Sequence, residues 1–95
     1  MAGKVLSGKT VVATAGEAVA LGEERIQGAL LVRALETNTG VVALGNDGAG
    51  DVSLANGLRL AAGEAVRFDF VGNLGALRLD AAISGEGVSW LALDV

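Results

Sequence analysis

Val66, Phe68 and Phe70 alternate with Arg67 and Asp69, and Leu77, Leu79 and Ala81 alternate with Arg78 and Asp80. A period of two sends successive side chains to opposite faces of an extended ribbon, so each run reads as a half-buried β-strand. A third run, Val88-Ser89-Trp90-Leu91-Ala92-Leu93, follows. The breaks between them, Gly72-Asn73-Leu74-Gly75 and Ser84-Gly85-Glu86-Gly87, are short and rich in residues that tolerate positive φ. Three consecutive strands with such links imply an antiparallel meander. No apolar stripe of helical spacing lasts beyond two turns, and Glu23-Glu24-Arg25-Ile26-Gln27 gives one turn at most.

Extended to the whole chain, the same reading places strands near 9–14, 17–21, 27–35, 40–45, 51–55, 57–61, 64–71, 75–82 and 87–94. Asn38-Thr39-Gly40, Asn46-Asp47-Gly48 and Asn56-Gly57 supply turns, with Asn or Gly where φ is positive. The fold class is all-β: an antiparallel β-sandwich, jelly-roll-like, of eight or nine short strands. Residues 11–95 form this single domain. Residues 1–8 carry little periodicity and read as an arm or a short first strand, and we assign 1–10 as an N-terminal arm.

Ala15-Gly16-Glu17-Ala18-Val19 recurs as Ala62-Gly63-Glu64-Ala65-Val66, with Gly85-Glu86-Gly87-Val88 a weaker third copy. Each puts Gly-Glu ahead of an apolar strand. A solenoid needs at least three stacked units of uniform period, so we read a repeated turn rather than a repeated domain.

Strands 27–35 and 87–94 are apolar on both faces. Leu30 and Val32 face one way and Leu31 and Leu35 the other; Val88 and Trp90 oppose Leu91 and Leu93. A strand covered on one side alternates with polar residues, so these two need a second cover. In a two-layer domain that cover is a neighbouring subunit or partner. Leu30, Val32, Arg33, Leu91 and Leu93 are the expected interface residues. Arg33 is either at the interface or its rim, where Arg is enriched, or a solvated charge on an edge.

Composition agrees. Of 95 residues, 52% are apolar and 19% charged, below the roughly 25% charge usual in soluble domains. Proline is absent, which removes a common device for blunting a sheet edge. There is no cysteine and no histidine, so disulfides and Cys- or His-based metal sites are excluded. The same lack leaves Ser7, Ser53, Ser84 and Ser89 without an evident activating base. Asp69 and Asp80 are better explained as cross-strand partners of Arg67 and Arg78 than as an acid–base pair. Trp90 is expected to pack in the core. The chain is read as no enzyme, with no cofactor. A net charge of −4 with scattered basic residues argues against nucleic acid as a partner. No apolar run reaches the roughly 20 residues of a membrane helix, and the N-terminus lacks the apolar stretch of a secretory signal. No membrane partner is expected, and synthesis in the host cytoplasm is.

Two motifs weaken in context. Gly3-Lys4-Val5-Leu6-Ser7-Gly8-Lys9-Thr10 matches the phosphate-loop pattern at every fixed position. That loop must follow a buried strand and open a helix; only two residues precede it here, and Thr-Val-Val-Ala-Thr starts a helix poorly. Gly45-Asn46-Asp47-Gly48-Ala49-Gly50-Asp51 looks like one calcium turn of a β-helix, an architecture that needs stacked copies.

From Gly28 onward, three segments carry a resemblance. They are Arg33-Ala34-Leu35-Glu36-Thr37-Asn38-Thr39-Gly40-Val41-Val42, Leu58-Arg59-Leu60-Ala61-Ala62-Gly63-Glu64, and Leu79-Asp80-Ala81-Ala82-Ile83-Ser84-Gly85-Glu86-Gly87-Val88-Ser89-Trp90-Leu91. Together they resemble small β-rich virion surface proteins of tailed phages and phage-derived particles such as gene transfer agents, of the head-decoration, head-fibre or head-spike base type. The resemblance implies a structural protein on the outer surface of the head. It implies a homo-oligomer, trimer or pentamer, bound to the major capsid protein and able to carry a fibre protein, with residues 1–10 as attachment arm. The alternative is a carbohydrate-binding or host-attachment module of a tail or fibre assembly, using loops 36–40 and 45–51.

Overall fold

The computed structural model describes residues 4–26, 28–46, 52, 57–69 and 72–94. Among the described residues eight strands run in the order β1 (Lys4–Val11), β2 (Val19–Ala20), β3 (Leu30–Ala34), β4 (Val42–Asn46), β5 (Leu58–Leu60), β6 (Ala65–Phe68), β7 (Leu77–Ala81) and β8 (Gly87–Asp94). They form two four-stranded antiparallel sheets, β1-β8-β3-β6 and β2-β7-β4-β5, packed as a sandwich. The inner faces meet through Leu30, Val32, Val88, Trp90 and Ala92 from the first sheet and Val42, Leu44, Leu60, Leu79 and Ala81 from the second. Alternation is what assigns these residues to the inside: β3 reads buried, exposed, buried, exposed, buried.

The pairing has a simple logic. β1 pairs with β8, β2 with β7, β3 with β6 and β4 with β5, which are the rungs of one long antiparallel hairpin. Two further pairings, β3 with β8 and β4 with β7, join those rungs into layers. The chain is therefore a hairpin rolled upon itself. This corrects the meander: β6 and β8 lie in one sheet and β7 in the other. The chain thus changes layer between β6 and β7, where a 3-10 helix lies at Leu74–Ala76, and again between β7 and β8. Alternation fixes which residues share a face and leaves strand partners open.

The N-terminal arm is likewise corrected from Lys4 on. Eight consecutive residues pair with β8, from Lys4 opposite Asp94 to Val11 opposite Gly87. Periodicity is weak here because the inward position between Leu6 and Thr10 is Gly8, and the Trp90 ring fills that place. A Cβ on Gly8 would stand 2.8 Å from Trp90 Cζ2. Trp90 is thus core, as expected, and its ring shields the glycine opposite it in the register. The phosphate-loop match runs along this strand, with Lys9 facing solvent and Thr10 Oγ1 donating to the Leu21 carbonyl at 2.5 Å.

The repeated Gly-Glu device takes one form three times. Glu17 N–H donates to Thr14 O, Glu64 N–H to Ala61 O and Glu86 N–H to Ile83 O. In each turn the third residue is a glycine at positive φ: Gly16 at 93°, Gly63 at 82° and Gly85 at 86°. Only the third position has positive φ, the requirement of a type II turn. The first two copies lead into β2 and β6, each an edge strand of a different sheet.

Other turns differ from expectation. Asn38 and Gly40 do not take positive φ; Asn38 is buried and its Nδ2 donates to Gly87 O at 2.9 Å. The segment 23–26 forms no helical turn but a bridge from Arg25 to Asn73. Asp69 and Asp80 sit on or beside strands of different sheets, so they are not cross-strand neighbours. Asp69 faces Arg67 on its own segment at 3.8 Å, and buried Asp80 accepts from Gly16 N–H and Ala81 N–H. The expected strand at 51–55 falls, apart from Val52, outside the described residues.

Glu86 closes the sandwich end. Its carboxylate accepts from Gly40 N–H at 2.9 Å, from Thr39 N–H at 2.7 Å and from Thr39 Oγ1 at 3.0 Å. The backbone bonds from Gly40 and then Thr39 hold its carboxyl below the usual carboxylate range. A depressed folded value contributes stability above the ordinary carboxylate pKa, and that stability is lost as pH falls through the lowered value. Glu86→Gln should therefore lower the denaturation midpoint at neutral pH. The gap from wild type should close on acidification, measured as urea midpoints across a pH series.

Candidate interaction surface

The two sheets differ on their outer faces. On β4, outward-facing Ala43 is fully buried, and Val52 lies over Gly45, 2.8 Å from where its Cβ would stand. The outer face of β2-β7-β4-β5 is thus partly roofed by the chain's own connection. The outer face of β1-β8-β3-β6 has no such roof among the described residues. Val5 is 66% exposed, Leu91 44%, Leu31 42% and Leu93 39%, values far above those of their inward neighbours Leu30, Val32 and Ala92, all at 0%.

Register sets these side chains in rows. Leu91 lies between Ser7 on β1 and Leu31 on β3, and Leu31 is followed by Arg67 on β6. Leu93 lies opposite Val5, and its N–H donates to Ala29 O at 2.9 Å on the other side. Ala29, Leu31, Leu91, Leu93 and the stem of Arg67 line a shallow apolar depression of about 210 Å³. The next row is polar: Lys9, Ser89 and Arg33. Arg33 is held there, its Nε donating to Gly63 O at 3.2 Å and its Nη2 to Glu36 Oε1 at 3.1 Å. The face is an apolar patch on central strands, bordered by cations. Anchored guanidinium groups beside exposed leucines are a composition that interfaces favour.

Of the five residues expected at an interface, the structure brings Arg33, Leu91 and Leu93 to this face. Leu30 and Val32 are corrected: both point into the core, because β3 turns its even-numbered residues inward. Leu31 takes their place, a residue the two-sided pattern already set opposite Leu30. Val5 was missed because its strand was read as an arm, and Arg67 because it alternates within a half-polar run.

The loops considered for glycan binding offer less. In 36–40 the N–H groups of Thr39 and Gly40 are already taken by Glu86. Residues 47–51, with the calcium-like turn, lie outside the described residues.

No protein-family model, curated protein or solved structure matches this chain.

Proposed function

We propose that this chain is a structural component of the outer surface of a phage or phage-derived particle head, a decoration or spike-base subunit that acts without catalysis. In this reading it self-associates and seats the outer face of β1-β8-β3-β6 on the major capsid protein. A fibre protein is a further partner in this reading. The observation that carries the reading is the row Val5, Leu93, Leu91 and Leu31, exposed apolar side chains on well-paired strands that none of the described residues roofs. Full burial of such a side chain is worth roughly 1.5–3 kcal/mol, and these four, 39–66% exposed, have about half of that left to gain, so together they still supply a useful docking force. Repeated sites on a shell multiply a modest contact into firm attachment. The rolled-hairpin winding supports the jelly-roll description of the sandwich.

With Lys4–Val11 built into the sheet, attachment is assigned to this face and not to an N-terminal arm. Immunogold labelling of purified particles tests the role. Gold on the exterior of heads is the expected result; particles that lack the chain, or carry it only on tails, overturn it.

A further inference from the structure

The four sheet edges are not alike. Three are short: β2 has two residues, β5 three and β6 four. Very short edge strands are one of the ways a chain avoids pairing with its neighbours. The fourth edge, β1, has eight residues in continuous register with β8, and the chain has no proline to interrupt it.

Backbone polarity along β1 follows from β8. Leu35 N–H donates to Gly87 O and Leu93 N–H to Ala29 O, so odd-numbered residues of β8 bond toward β3. Its even-numbered residues Val88, Trp90 and Ala92 then bond toward β1, where they face Thr10, Gly8 and Leu6. Val5, Ser7, Lys9 and Val11 consequently turn their N–H and C=O groups to the open edge. No backbone hydrogen bond among the described residues reaches that edge.

We propose that this edge pairs with β1 of a second copy of the chain, antiparallel about a two-fold axis at Gly8, making one continuous eight-stranded sheet across the dimer. The register follows from face matching. Residues directly opposite in an antiparallel pair point to the same side, so the two residue numbers must add to an even total. A centre at Gly8 sets Val5 against Val11 and Ser7 against Lys9, and it engages every outward N–H and C=O of both strands. A centre at Ser7 sets apolar Val5 against Lys9 and, among the described residues, engages only Val5, Ser7 and Lys9 of the outward set. The Gly8 centre also places no lysine directly opposite another. Self-complementarity of this kind is what a two-fold contact requires, and it selects a second copy over an unrelated strand. The pairing merges two apolar outer faces into one platform, with Val5 and Val11 of both copies along the seam.

This inference rests on the self-association reading but not on the virion role. It also puts a two-fold pair in place of the ring of three or five expected from sequence. Ser7→Pro is the direct test. The lost N–H points to the open edge, so the protomer keeps its bonds to β8, and proline is tolerated on such edges. Light scattering at micromolar concentration should give a dimer for wild type and a particle of half that mass for Ser7→Pro, with unchanged circular dichroism. A wild-type monomer, a mass of three or five chains, or a mass that Ser7→Pro leaves unaltered overturns the proposal. A second test does not depend on proline. The chain has no cysteine, so Ser7→Cys and Lys9→Cys chains can be mixed and mildly oxidised. Disulfide dimers should form between the two variants and not within either; linkage of Ser7→Cys to itself overturns the register.

Discussion

Leu91→Glu should abolish binding to particle heads while leaving both the fold and the oligomer mass as they were. Leu91 is 44% exposed at the centre of the bare face, flanked by Ser7 and Leu31. In the free protomer a glutamate there reaches water, and the cost is limited to strand propensity and lost side contact, at most about 1 kcal/mol. In a docked face it would lose leucine burial and strand a carboxylate against apolar neighbours. Together these cost about 4 kcal/mol, or roughly a thousandfold in affinity. Co-sedimentation with heads stripped of the chain measures the loss, and urea midpoints measure the fold. The contrasting variant is Leu30→Glu: that side chain is fully buried one residue before Leu31, and the protein should not fold. Undiminished head binding by Leu91→Glu would remove the face from the functional reading. A mass that fell on Leu91→Glu would instead give the face to sister subunits and take the dimer away from the β1 edge.

How much of this surface was legible in the sequence depends on what alternation can encode. Two-sided hydrophobicity in 27–35 and 87–94 marked the two strands that turn out to be adjacent at the centre of one sheet. It also paired Leu91 with Leu93 on one face correctly. It gave no means of deciding which face of β3 was the inner one, since Leu30, Leu31 and Val32 are equally apolar. That choice is made by the register with β8 and by the second sheet, both non-local. The first strand was hidden for a related reason. Its inward residues are Leu6, Gly8 and Thr10, and the missing bulk is supplied by a tryptophan more than eighty positions away. Turn chemistry was the most local signal and the most faithful. The Gly-Glu turns form as their letters suggest, since a positive φ at the third position needs only glycine there. Asn38 failed as a turn signal because a buried acceptor, the Gly87 carbonyl, claims its side chain.

Gly87→Ala should destabilise the fold by about 3 kcal/mol, a large share of the roughly 5–15 kcal/mol a domain of this kind possesses. A Cβ on Gly87 would run into the Thr10 carbonyl oxygen and stand 2.7 Å from Val11 Cα and 2.9 Å from Thr10 C. These are backbone atoms of the paired strand, so no side chain can swing aside. Nor can β8 retreat freely. The Gly87 carbonyl accepts from Leu35 N–H at 3.1 Å and from Asn38 Nδ2 at 2.9 Å, and a shift away from β1 disturbs both bonds. Gly85→Ala is the matched control two residues earlier. Nothing lies within 4 Å of its added Cβ, and the cost is the positive φ of 86° alone, about 1–2 kcal/mol. Urea midpoints should rank wild type above Gly85→Ala and Gly85→Ala well above Gly87→Ala; equal losses would mean that close strand approach is not what requires glycine at 87. The damage should also be directional. Hydrogen exchange in Gly87→Ala should accelerate first at the Leu6, Gly8 and Thr10 amides, which β8 holds, because the clash pries β1 from its only partner among the described strands. An edge loosened in this way can no longer present a straight row of N–H and C=O groups, so the dimer should weaken along with the fold.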